Sequence, residues 1–183
     1  MRTVSVLLVL LLTAMATATA ATVRVAGLAL ELPPGWQADD DPPAGCIAAW
    51  RYGDPSAPDP ASGARADRPA ITLARSPHGA LEAGFPAWVA QQRASLTMLD
   101  QSVSLHSDQA EVLAGKTGHR LGYTLRGAGL AWYQETRLLQ LGQTGLALCC
   151  SAPAAQRATW SPVFARIAAS ITVPDRPGAR SAP

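Results

Sequence analysis

Apolar and polar residues alternate with a period of two along much of the second half of the chain. Between residues 118 and 126, Leu121, Tyr123 and Leu125 fall on one face, as in a half-buried β-strand. Two glycine-rich turns follow, and glycine favours such turns because it adopts positive φ without a Cβ clash. The pattern predicts three antiparallel strands, at 118–126, 130–141 and 146–150.

Two other stretches repeat apolar residues at helical spacing. The first opens with Gly84 as N-cap and Pro86 at the first position, and its apolar stripe contains Phe85, Trp88, Val89, Leu96 and Leu99. The second opens with Ser161 as N-cap and Pro162 at the first position, ends near Thr172, and carries Trp160, Val163, Phe164, Ile167 and Ile171. Both stripes are expected to pack on a sheet.

The first half of the chain predicts further strands. Residues 23–32 alternate as one strand and residues 46–52 as another, and we expect these two to pair as a hairpin. A short strand is predicted at 70–75 and an extended segment at 101–113. The fold class is therefore α+β, a single domain in which two main helices flank a central antiparallel sheet of about six strands.

The N-terminus has the features of a secretory signal peptide, cleaved after Ala20. Arg2 precedes an apolar run at 4–12, which is shorter than the roughly 20 residues that span a bilayer, and no second such run follows. The nearest cysteine is Cys46, so no lipid anchor is expected. We predict a soluble periplasmic or secreted domain over 21–173, with a flexible Pro-rich loop at 53–69 and a disordered tail at 174–183.

The charge balance does not favour a nucleic-acid partner. The chain has 15 basic and 13 acidic residues and no basic block. Asp39, Asp40 and Asp41 form an acidic run, which we interpret as a solvated turn rather than a cation site. Residues 110–117 nearly match a phosphate-binding loop, but they join antiparallel strands and lack the first glycine. No cofactor is predicted.

The three cysteines leave two interpretations open. In an oxidising compartment, Cys46 is expected to form a disulfide with Cys149 or Cys150. Cys149 and Cys150 are adjacent in a strand and point to opposite faces, so a bond between them would be strained. The alternative is three buried thiols that behave as small apolar side chains.

Candidate catalytic chemistry is limited to one group of residues. His106 and Asp108 share a face if their strand is regular, and His119 lies on the neighbouring strand. Such a cluster would suit a metal ion or a serine triad, and it defines the enzyme hypothesis, a metal-dependent or serine hydrolase. The sequence has no Gly-x-Ser-x-Gly motif, and we assign no catalytic or metal-binding residue.

The order of elements resembles that of the DcrB-like and PsbP-like proteins. The resemblance rests on residues 27–36, the long helix, residues 113–116, the strands that follow, Trp160 and residues 167–171. It implies an α/β/α sandwich around an antiparallel sheet. It also implies binding rather than catalysis, because these relatives are accessory subunits of photosystem II, periplasmic proteins linked to phage uptake, and chaperones of secretion effectors.

The sequence therefore favours a periplasmic, non-enzymatic module that binds another protein. An immunity protein that masks a toxin is one specific form of this hypothesis, and a secretion-associated factor is another. A small-ligand-binding domain of the envelope is a further alternative, which requires an open apolar groove between a helix and the sheet.

Overall fold

The fold was analysed in a computed structural model, which describes residues 19–53, 68–99, 102–127 and 129–174. Most of the predicted signal peptide, the predicted flexible loop and the predicted tail lie outside these ranges. Among the described residues, neither helix has the length and apolar character needed to cross a membrane.

Nine strands and two helices lie within the described ranges. The strands are β1 (Ala21–Val25), β2 (Leu28–Leu32), β3 (Trp36–Ala38), β4 (Cys46–Tyr52), β5 (Ala70–Arg75), β6 (Ser102–Leu113), β7 (Lys116–Gly127), β8 (Leu130–Leu141) and β9 (Thr144–Pro153). Helix α1 (Phe85–Thr97) lies between β5 and β6, and helix α2 (Arg157–Ala169) follows β9 after one 3-10 turn.

Seven of these strands form the main sheet, one more than predicted. Their order is β3-β4-β5-β9-β8-β7-β6, and all neighbours are antiparallel. Strands β6 to β9 form a meander that follows chain order because short turns join them. Strands β8 and β9 therefore lie inside the sheet, and β6 forms one of its edges.

The segment 23–32 departs from the prediction. It is not one strand, because Ala26 (φ 52°) and Gly27 (φ 79°) turn the chain and pair β1 with β2 as a separate hairpin. The predicted pairing of this segment with β4 is therefore wrong. β4 pairs instead with β3 and β5, and the short strand β3 was not predicted.

The two helices cover opposite faces of the sheet. Leu138 and Leu139 are adjacent in β8, and both are almost completely buried. Leu138 packs in the core that contains Trp88 of α1, whereas Leu139 packs in the core that contains Phe164 of α2. Since neighbouring residues of a strand point to opposite faces, the arrangement is the predicted α/β/α sandwich.

Helix α2 begins earlier than its sequence suggested. Its first residue is Arg157, so Ser161 is not an N-cap and Pro162 lies inside the helix. The Ser-Pro pair was misinterpreted because the Ser161 hydroxyl has a tertiary partner, the carboxylate of Glu135 on β8. The predicted stripe is confirmed at Phe164 and Ile167, which are fully buried, but the helix ends at Ala169 rather than near Thr172, so Ile171 is buried beyond its end.

Helix α1 begins as predicted, with Gly84 at the N-cap (φ 89°) and Pro86 in the first turn. Trp88 is its main anchor, because its ring lies directly on β9. A Cβ atom added to Gly145 would stand 2.8 Å from the Trp88 ring, so the close approach requires glycine there. The predicted stripe ends early, since Leu99 lies beyond the helix and is 41% exposed.

Truncation of Trp88 should destabilise the fold strongly. We expect Trp88→Ala to lower the free energy of unfolding by about 3–5 kcal/mol, because it leaves a cavity between α1 and β9. Met98→Ala is the control at the end of the same helix, where the side chain is 84% exposed. It should change stability by less than about 0.5 kcal/mol. Equal effects in urea titrations would contradict this view of the α1 layer.

Candidate functional site

The three residues of the enzyme hypothesis do not come together. Leu105 lies opposite Tyr123 and Ser107 opposite Gly122, so β6 carries one extra residue, His106, in a β-bulge. The bulge reverses the alternation, and His106 contacts Thr124 on the α2 side of the sheet. The expectation that His106 shares a face with Asp108 is therefore wrong, because it assumed a regular strand.

Asp108 and His119 do meet, on the α1 side. The Nε2 atom of His119 lies 2.7 Å from Oδ1 of Asp108, and Arg93 of α1 donates to the same oxygen over 2.7 Å. The hydrogen bond with His119, followed by that with Arg93, lowers the pKa of Asp108. Within the described ranges, no group of three potential metal ligands is found.

The three cysteines are free thiols in this structure. Cys46 lies on β4 and Cys149 on β9, and β5 separates these strands. Two strand spacings amount to about 9.6 Å, whereas disulfide Cα atoms are usually about 4.4–6.8 Å apart. Burial raises the pKa of both Cys149 and Cys150, so neither is an activated nucleophile.

A buried group of charges lies on the α2 side of β8. Glu135 is 1% exposed and Arg137 is 3% exposed, and Nη2 of Arg137 stands 2.8 Å from Oε2 of Glu135. Glu111 of β6 approaches the same guanidinium, with Oε1 at 3.5 Å from Nε. Burial raises the pKa of Glu111. Ionised side chains are costly to bury, so this cluster depends on its internal pairing.

The same cluster fixes α2 on the sheet. The hydroxyl groups of Ser161 and Tyr133 both donate to Oε1 of Glu135, over 2.7 Å and 2.5 Å. Burial, and next the hydrogen bond to Glu135, raise the pKa of Tyr133. Helix α2 thus contributes the Ser161 hydroxyl to the Glu135 carboxylate of β8. Hydrogen bonding as well as apolar packing therefore sets the position of the helix.

Two exposed arginines and a histidine lie beside this cluster, and we refer to His106, Arg126 and Arg157 as the basic site. The Arg157 guanidinium lies over the Tyr133 ring, 5.0 Å from its centroid, and the His106 ring lies 6.1 Å from the same ring. Arg126 donates to Oγ of Ser104 over 3.2 Å. Two elements, β7 and α2, therefore bring positive charge to one surface, and β6 adds an imidazole beside it.

The surroundings of the basic site lower the pKa of His106. Desolvation lowers this pKa first, and the charges of Arg157 and Arg126 lower it further. The Nε2 atom of His106 lies 2.7 Å from Oγ1 of Thr124, which is buried. The imidazole is consequently held in place beside two guanidinium groups, and its neutral form is favoured.

The spaces between the helices and the sheet are filled. Phe164 and Ile167 of α2 and Trp88 of α1 are each at most 2% exposed, so the apolar groove required by the small-ligand hypothesis is closed in the described structure. Polar depressions do lie on the surface. One, of about 480 Å³, is lined by Arg75, His78, Glu82, Gln143 and others.

Sequence reasoning did not predict the buried cluster of Glu135 and Arg137 with Tyr133 and Ser161. It also did not predict that Arg126 and Arg157 lie near His106. One feature pointed to the buried cluster: residues 130–141 form a largely apolar strand that nevertheless contains Glu135 and Arg137. Charged residues inside a strand buried on both faces must find partners. The sequence does not predict the basic site from Arg126 and Arg157, because arginine is common at the ends of strands and helices.

Comparison with known proteins bears on the fold. No family model and no curated protein matches the chain. Among solved structures, the cyanobacterial PsbP protein CyanoP of Synechocystis matches with a TM-score of 0.60 and 15% identity, over 86% of this chain and 94% of its own. The chain has a PsbP-like fold.

Two further structures share the PsbP-like fold. LpqN of Mycobacterium tuberculosis, described as involved in cell envelope biogenesis, has a TM-score of 0.61 and 15% identity over 85% of this chain and 91% of its own. A Pseudomonas aeruginosa protein of unknown function has a TM-score of 0.58 and 19% identity, over 86% and 98%. At these identities the likeness concerns the fold alone.

The buried ion pair of this PsbP-like domain predicts a non-additive double-mutant cycle. We expect Arg137→Met to cost about 3–5 kcal/mol, because two carboxylates lose their common cation. Glu135→Gln keeps an oxygen acceptor for Tyr133 and Ser161. The combined variant should therefore lose clearly less stability than the sum of the two single losses. Additive losses in urea unfolding would contradict the pairing, and Arg24→Met is the exposed control.

The carboxyl groups of Asp108 and Glu111 predict opposite dependences of stability on pH. The folded state lowers the pKa of Asp108 from 3.8, so its contribution is present above that value and lost as the pH falls through the lowered pKa. Asp108→Asn should therefore destabilise the protein at pH 7 and have little effect in acid.

Glu111 provides the comparison of opposite sign. The folded state raises its pKa from 4.5, so it favours the neutral carboxyl and the ionised form opposes folding above that value. Glu111→Gln should be neutral or stabilising at pH 7. Unfolding curves of Asp108→Asn and Glu111→Gln between pH 3 and 7 test these two expectations. Stability changes that follow the same pH profile in both variants would contradict the opposite pKa shifts.

Proposed function

We propose that this chain is an exported, non-enzymatic accessory module of the bacterial envelope that binds another protein. The observation that carries the proposal is a partly exposed apolar strip on the edge strand β6 and its neighbours β7 and β8. The strip consists of Val103, Leu105, Leu125, Leu130 and Trp132.

The register places the strip on one surface. Val103 lies opposite Leu125, and Leu125 lies opposite Trp132, so three strands contribute neighbouring side chains on the α1 side. Leu105 is 49% exposed and Leu130 is 48% exposed, while the side chains between them are half-buried. A continuous apolar surface of this kind favours contact with a protein partner.

The edge strand adds a second element of recognition. β6 has 12 residues, and within the described part of the chain only β7 pairs with it. Its outer backbone groups are thus available to a segment that joins as an eighth strand. Backbone hydrogen bonds would supply affinity there, and the apolar strip would supply selectivity.

Other observations support the envelope location and the absence of catalysis in this proposal. The signal peptide predicted at residues 1–20 would direct the chain to the periplasm. LpqN, which shares the fold, is described as involved in cell envelope biogenesis. The separation of His106 from Asp108 and His119 by the β-bulge favours a binding role. An immunity protein and a secretion-associated factor are the specific forms that we consider.

The test is affinity capture of the tagged protein from the native periplasm after mild crosslinking, followed by mass spectrometry. We expect one protein at near-stoichiometric yield. Leu105→Glu and Leu130→Glu should each reduce its recovery at least about tenfold, because a buried charge disfavours the contact.

The matched control is Val112→Glu, which changes a 76% exposed residue of the same strand outside the strip. The captured protein should be retained by this variant. Recovery that is equal from all variants, or nothing retained above an untagged strain, would refute the proposed surface. Protection of cells from a toxin that is the captured protein would select the immunity form.

A further inference from the structure

The basic site is an exposed, charged surface that the proposed function does not use. His106, Arg126 and Arg157 come from β6, β7 and α2, and all three are exposed. The site lies on the α2 side of the sheet, whereas the apolar strip lies on the α1 side. An inference about the basic site is therefore independent of protein binding at the strip.

The positive charge of this site is not neutralised by the described residues around it. Neither Arg126 nor Arg157 has a carboxylate within 4.0 Å in the described ranges. The nearest buried acid, Glu135, is already paired with Arg137. Desolvation first, and then the two guanidinium charges, lower the pKa of His106, in agreement with its place beside both arginines.

The donors at the site suit an anion with several oxygen atoms. Each arginine presents a planar set of N–H donors, which matches the oxygens of a phosphate. Among the described residues, Arg126 has one side-chain hydrogen bond, to the Ser104 hydroxyl, and Arg157 lies over the Tyr133 ring, so most of their N–H donors have no protein acceptor there. The Ser104 hydroxyl and the His106 imidazole add further polar groups nearby.

We infer that the basic site binds a phosphate group. Two guanidinium groups on separate elements would hold two edges of the tetrahedral anion, and His106 would provide a third contact. The phosphate belongs either to a small soluble molecule or to the headgroup of an anionic phospholipid, and the recognition chemistry is the same for both.

The first measurement is an NMR titration of the histidine ring signals of the purified protein, with inorganic phosphate at constant ionic strength. His106→Gln identifies the signal among those of the three histidines. Bound phosphate should raise the pKa of His106, because it offsets the charges of the two arginines, and should not move the ring signals of His78. Acetate is the comparison anion and should bind at least about tenfold more weakly.

The second measurement uses arginine variants. Arg126→Gln and Arg157→Gln should each weaken phosphate binding about tenfold, which is the loss of one charge-assisted hydrogen bond. Arg24→Gln removes the same charge from an exposed position on β1 and should leave the affinity unchanged. Sedimentation with phosphatidylglycerol vesicles, compared with phosphatidylcholine vesicles, tests the lipid source in the same variants.

The outcomes separate as follows. Binding of inorganic phosphate that depends on Arg126 and Arg157 supports the site and indicates a soluble ligand. Binding of phosphatidylglycerol vesicles alone, with the same dependence, supports the site and indicates a headgroup. No binding of either probe, equal binding of acetate, or an equal loss in Arg24→Gln would overturn the inference.

Discussion

The pairing of Glu135 with Arg137 is the constraint on which the α2 side of the molecule depends. Both side chains lie on β8, inside a sheet that is covered on both faces, so neither charge can reach water. Glu135 also accepts hydrogen bonds from Tyr133 and Ser161, which ties the helix to one place on the sheet. The apolar residues of α2 then complete a layer whose position is already fixed.

The β-bulge in β6 decides which chemistry each face of the domain carries. One extra residue moves His106 to the α2 side, next to Arg126 and Arg157, and leaves Asp108 with His119 on the α1 side. A regular strand would have gathered two histidines and a carboxylate, a plausible metal site. The bulge replaces that arrangement with a structural ion cluster on one face and a basic surface on the other.

The elements that were predictable from sequence are those in which local pattern and tertiary role agree. Strands β5 and β8 have the predicted boundaries, because proline- or glycine-containing turns flank both of them. The prediction of one strand over 23–32 was wrong, because the apolar alternation continues through a turn in which Ala26 adopts positive φ. The prediction of Ser161 as an N-cap was wrong, because its hydroxyl donates to the distant carboxylate of Glu135 instead of capping a helix.

The candidate sites were less predictable than the fold, because they depend on register. The face that His106 occupies depends on one inserted residue, and a sequence pattern does not show where a ladder slips. Arg126 and Arg157 are 31 positions apart in the chain, and only the order of the meander and the position of α2 bring both near His106. Their convergence is a property of topology rather than of any motif.

The adjacent cysteines have a consequence for the dynamics of the domain. Cys149 contacts Thr136 on the α1 side, and Cys150 is fully buried in the core beneath α2. Labelling of Cys150 therefore requires the α2 layer to open, whereas the half-buried Cys149 reports on the α1 face of the sheet. A single pair of neighbouring residues thus offers natural probes that can report whether the two layers separate from the sheet together or one at a time.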